Sequence, residues 1–130
     1  MTGFRLSSTV LGCPDPGALA DFYRALLGWE VRDDEPDWVV LKPPGTGQGA
    51  ATGLSFQREV AYVPPVWPHA PGEQQMQAHL DIGTPDLEAG VSRAVALGAT
   101  EAVFQPQDDV RVLLDPAGHP FCLFEDPLQG

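Results

Sequence analysis

The chain has 130 residues, 43% of them hydrophobic and 19% charged, with a net charge of −11 at pH 7. That length and balance suit one compact globular domain with a sizeable core and exclude a disordered chain. No apolar run is long enough to span a bilayer, and so acidic a surface with no basic cluster excludes a phosphate backbone as partner.

Residues 4–13 read as a strand that stops at the turn cluster Pro14-Asp15-Pro16-Gly17. Asp15 is a suitable N-cap and Pro16 a suitable first helical residue. Leu19, Phe22, Tyr23, Leu26 and Leu27 then fall on one helical face, closed by Gly28 at the C-cap position. Residues 29–32, 38–42 and 52–57 follow as three short strands, so the first half, residues 4–57, reads β-α-β-β-β.

Residues 58–75 form a proline-rich connector with the run Val63-Pro64-Pro65-Val66-Trp67-Pro68-His69, expected to be extended and semi-rigid. Trp67 has no strand or helix to account for it there, which points to packing at a cleft or a subunit interface.

The second half, residues 76–126, repeats the order. It gives a strand at 77–82, a helix from Asp86 to Leu97 with Gly98 as cap, and strands at 99–104, 110–114 and 121–125. The turn Asp115-Pro116-Ala117-Gly118-His119-Pro120 joins the last two. Pro14-Asp15 and Leu27-Gly28 recur as Pro85-Asp86 and Leu97-Gly98 about 70 positions later. The expected architecture is α+β: two tandem β-α-β-β-β half-units in a single domain over residues 1–130, helices outside, inner faces of a mixed sheet curled around a cleft. The N-terminus lacks a charged start and apolar stretch, so a cytoplasmic protein with reduced Cys13 and Cys122 is expected.

This duplicated unit resembles the vicinal oxygen chelate superfamily, the fold of glyoxalase I, bleomycin-resistance proteins and extradiol dioxygenases. The resemblance rests on Phe22-Tyr23-Arg24-Ala25-Leu26-Leu27-Gly28-Trp29, His79-Leu80-Asp81-Ile82 and Asp115 through Leu123. With Trp67-Pro68, these are most similar to its glyoxalase-like domain subgroup. The resemblance implies divalent-ion ligands on the first and last strands of each unit, holding two adjacent substrate oxygens. Carried over, those positions fall on Ser8, His79 and Cys122, with the fourth near Ser55–Gln57 and Gln57 as its candidate. One histidine, one cysteine and one glutamine are a poor cage for Mg, Mn or Fe(II). The usual metal is therefore not expected, and no other cofactor is implied.

The alternation Gln77, His79, Asp81 against Ala78, Leu80, Ile82 gives that strand one wet side. At i and i+2 on a strand, His79 and Asp81 are expected to communicate only indirectly. Cys122, between Phe121 and Leu123, reads first as a small buried apolar residue and only second as a cleft group. Glu125 would need a bulge to join it on the same face. The leading expectation is a small-molecule-binding protein whose cleft is lined by His79, Asp81, Cys122, Trp67, Ser8 and Gln57, paired as a homodimer. Two alternatives stand beside it: a metal-dependent lyase, isomerase or dioxygenase with a site rebuilt around His79, and an antibiotic-sequestering resistance protein for a cationic ligand.

Overall fold

A computed structural model describes residues 3–45 and 51–127. Eight strands and two helices occur in the order β1 (Ser8–Cys13), α1 (Pro16–Leu27), β2 (Glu30–Glu35), β3 (Trp38–Lys42), β4 (Gly53–Arg58), β5 (Leu80–Thr84), α2 (Leu87–Leu97), β6 (Thr100–Glu101), β7 (Val110–Leu114) and β8 (Pro120–Glu125). They form two compact units, Met1–Tyr62 and Val63–Gly130. Each is a β-α-β-β-β repeat with its own four-stranded sheet, ordered β1-β4-β3-β2 in the first and β5-β8-β7-β6 in the second. β1 pairs with β4 and β5 with β8 in parallel, while the remaining neighbours are antiparallel. The expected α+β class, the helix positions and the strand order are all present.

In the first unit, Asp15 caps α1 by accepting from Ala18 N at 3.2 Å, and Gly28 closes it in the left-handed conformation at φ 72°. Leu19, Phe22 and Tyr23 turn inward onto Val39, Leu41, Leu54 and Phe56, all under 5% exposed. The Tyr23 and Phe56 rings stack at 5.7 Å, supplying large apolar area between α1 and β4. The alternate residues Trp38, Val40, Lys42 and Ser55 face the other side of the sheet.

In the second unit, Asp86 caps α2 by accepting from Ala89 N at 3.1 Å. Its buried set is smaller: Ala94, Ala99, Val112, Leu113, Phe121 and Leu123. Asp115 is 4% exposed and shapes the β7–β8 turn by accepting from Ala117 N and His119 N at 2.9 and 3.0 Å. Gly118, at φ 93°, supplies the conformation the turn requires. This turn fixes where Cys122 falls on β8.

Three strands and the connector are among the elements that differ from the sequence expectation, as is β2, which runs on to Glu35 where an end at residue 32 was expected. β1 begins at Ser8 because its partner β4 begins at Gly53, whose N–H donates to Ser7 O. β5 begins at Leu80, opposite Phe121, and the residue before Phe121 is a proline without an N–H to donate. The strand expected at 99–104 shortens to Thr100–Glu101. There the side chain of Gln105 takes over the ladder, donating to Ala102 O and Val112 O and accepting from Val112 N at 2.8–2.9 Å. The connector, expected to be extended, folds back so that Val66 N donates to Gln74 O at 2.8 Å, with a cis Trp67–Pro68 peptide.

Candidate functional site

The β5–β8 register places Asp81 opposite Cys122. His79 lies just before β5, outside the regular ladder, so its ring is free to turn along the sheet face. Its Nε2 comes within 3.3 Å of Asp81 Oδ1, a direct contact where strand spacing alone predicts an indirect one. One ligand atom from each of His79, Asp81 and Cys122 lies within 4.8 Å of the others. The sequence-derived trio is thus gathered on the sheet face opposite α2.

This group borders two adjoining cavities. The first, of about 180 Å³, is lined by Trp67, Met76, Pro106, Val110, Val112 and Pro120, with His79, Gln107 and Cys122 at its polar side. The second, of about 450 Å³, shares His79, Gln107, Val110 and Cys122 and adds Asp81, Asp109, Phe124 and Glu125. The cleft therefore has an apolar end and an acidic end. Trp67 is held at the apolar end by a hydrogen bond from Nε1 to Phe104 O at 3.2 Å, and the two rings lie 6.0 Å apart. Glu125 Oε2 accepts from Leu87 N at 3.1 Å, so this carboxylate is engaged at the start of α2.

Burial raises the Cys122 thiol above its ordinary pKa, and the charge of Asp81 and a hydrogen bond to it push in the same direction. The thiol is protonated at neutral pH, which suits a weak donor in a ligand pocket better than a nucleophile. Neither Cys13 nor Cys122 takes part in a disulfide.

The first unit has the same register: Val10 lies opposite Ser55 as Asp81 lies opposite Cys122. Ser8 is therefore the counterpart of His79, and Ser55 that of Cys122. Their hydroxyls pair with one another at 2.5 Å, and Ser55 is fully buried. Gln57 lies further along β4, exposed, donating to Glu59 Oε1 at 3.1 Å. Sequence reading left this register open because β4, Gly-Leu-Ser-Phe-Gln-Arg, offers both Ser55 and Gln57 as polar candidates on the same face. Only the pairing with β1 resolves it. Missed as well were the apolar walls Met76, Pro106, Val110 and Pro120, which look like ordinary strand and loop residues until the chain folds back.

Two tandem β-α-β-β-β units, each with its own mixed four-stranded sheet, are the architecture of the vicinal oxygen chelate class. The chain belongs to the glyoxalase-like domain family, whose model matches residues 8–124. It is 33% identical to the anthracycline biosynthesis protein DnrV of Streptomyces peucetius over 88% of its own length, and it spans only 44% of that protein. The fold is similar to that of a glyoxalase/bleomycin resistance protein/dioxygenase family enzyme from Burkholderia phytofirmans PsJN, at TM-score 0.67 and 20% identity, covering 94% of this chain and 98% of that one. It is also similar to TnmS3, an antibiotic binding protein from Streptomyces sp. CB03234, at TM-score 0.59 and 20% identity, covering 96% and 98%. No helix among the described residues is long and apolar enough to cross a membrane.

Proposed function

We propose that this protein binds a flat, largely apolar small molecule in the cleft of its second unit, without the divalent ion that the family resemblance implies. The observation that carries this reading is the lining of that cleft. An indole held by a backbone hydrogen bond faces Met76, Val110, Val112 and the prolines 106 and 120, with a few polar groups at one side. Such a pairing of apolar wall and sparse polar atoms is what small-molecule sites use to bind and orient ligands. The similarity to an anthracycline biosynthesis protein and to an antibiotic binding protein supports a polycyclic aromatic compound as the ligand class.

The donor chemistry supports the metal-free part. Hard divalent ions favour carboxylate and carbonyl oxygens, and Fe(II) the two-histidine-one-carboxylate pattern. In the first unit the two family positions are neutral hydroxyls bonded to each other. In the second, one of the two is a thiol that burial and Asp81 keep protonated. These residues do not fit the usual ion.

The test is calorimetric titration with an anthracycline, alongside Trp67→Ala and a second variant, Val110→Trp, that fills the cleft from a strand. Saturable one-to-one binding is expected, weakened about tenfold by loss of the indole and abolished by the filled cleft. Binding that both variants leave intact would place the ligand elsewhere. Pairing of two copies belongs to the same proposal and is read by light scattering.

A second reading, a metal-dependent lyase or dioxygenase, is favoured by one observation, the convergence of His79, Asp81 and Cys122. Imidazole, carboxylate and thiolate together suit Zn(II) or Co(II) rather than Mg(II). Titration of the stripped protein with Co(II) separates the readings. A cobalt–thiolate absorption band, lost in Cys122→Ser, supports the second; no band at stoichiometric cobalt supports the first.

A further inference from the structure

The first unit holds a pocket of about 300 Å³ lined by Arg5, Ser7, Ser8, Arg32, Asp33, Trp38, Val40, Lys42 and Ser55. The whole chain has only seven lysines and arginines against eighteen carboxylates, so three cations and one carboxylate around a single pocket is a strong local inversion of charge. Lys42 is 8% exposed, and a buried ammonium is costly unless an opposite charge accompanies it. Its Nζ donates to Ala51 O at 2.7 Å and Ser7 O at 3.3 Å. No carboxylate pairs with it among the described residues. An ammonium carries three N–H donors, and the third has no partner among the described residues.

The backbone is shaped for this lysine. A Cβ built on Gly53 would lie 3.1 Å from Lys42 Cδ and Cε and 2.8 Å from Leu41 O, so the missing side chain is the space through which the lysine stem passes. Arg5 and Arg32 have neither hydrogen bond nor ion pair among the described residues, which leaves both guanidinium forks open. The paired hydroxyls of Ser8 and Ser55 complete the lining with neutral groups that can donate or accept.

We propose that this pocket is a binding site for an oxyanion, the carboxylate or phosphate of a small organic ligand, received by Arg5, Arg32 and Lys42. A guanidinium fork matches either group in two parallel hydrogen bonds, and the buried ammonium supplies the charge that a molecule of net −11 otherwise lacks. Asp33 at the same pocket disfavours weakly held anions and selects those that engage several donors at once. The acidic cleft of the second unit has no such donors, so the two units carry opposite recognition chemistry.

The experiment titrates the full-length protein with inorganic phosphate and, separately, with sodium benzoate, following backbone amide shifts by NMR at constant ionic strength set with chloride. Saturable shifts around Ser7, Ser8 and Arg32 are expected. Arg5→Gln and Arg32→Gln should each weaken the tighter probe about tenfold. Both arginines lack described partners, so these variants should fold as the parent does, which circular dichroism checks. The tighter of the two probes identifies the head group as phosphate or carboxylate. Shifts that do not saturate, or that match those of added chloride, overturn the proposal, as does saturation unchanged in both variants.

Discussion

Cys122 shows how a single residue takes its chemistry from its surroundings. On sequence it is a small residue between Phe121 and Leu123, and its neighbours give no reason for a charged thiolate. In the fold it borders the cleft, and burial together with the nearby Asp81 carboxylate raises its pKa. The sign of the effect is testable. Alkylation by iodoacetamide at neutral pH should be slower for Cys122 than for an unstructured cysteine, and the rate should rise only as the pH climbs above the ordinary thiol range. Asp81→Asn removes the two contributions that come from that carboxylate, so it should bring the midpoint of the rate profile down. A variant midpoint equal to or above the parent's would refute this account of the thiol. His79 was legible as a cleft residue from the alternation of polar and apolar positions. Its direct contact with Asp81 was not, because a residue just outside a strand is free of the spacing that holds within it.

At the scale of elements, the strongest local signals were chemical punctuation. Asp15 and Asp86 each cap a helix, and Gly28 and Gly98 each end one. What sequence could not supply was pairing, which depends on residues far apart in the chain. The register of β4 follows from its pairing with the distant strand β1, where Val10 lies opposite Ser55, whereas most of the strand at 99–104 is lost to a local competitor, the Gln105 side chain that takes the Val112 hydrogen bonds. Gly53 is a further case of pairing, since its place in a strand was legible but the residues it packs against were not. Its position against Leu41 O and the Lys42 stem makes Gly53→Ala a sensitive probe of the β3–β4 contact. The added methyl must push on backbone, so a loss of about 1–3 kcal/mol is expected from overpacking. Urea denaturation measures it, and a variant as stable as the parent would show that the strands do not approach so closely.

For the molecule as a whole, duplication was the most legible property, because Pro-Asp and Leu-Gly recur at matched places and each unit has to bury a helix face on a sheet. The candidate site was legible in part. His79, Asp81, Cys122 and Trp67 all border the cleft of the second unit, whereas the cationic pocket of the first was invisible in a composition so heavily acidic. Arg5, Arg32 and Lys42 lie on three different segments, and only the sheet brings them to one face. The same duplication has thus diverged into an apolar, acid-ended cleft in one unit and a basic pocket in the other. The proposed reading of the protein as a binder of a flat apolar compound depends on the first of these. Calorimetric titration of an anthracycline into the parent and Trp67→Ala proteins tests it most directly. The account predicts saturable one-to-one binding that weakens about tenfold without the indole. No saturable binding, or equal affinity in both proteins, would contradict it.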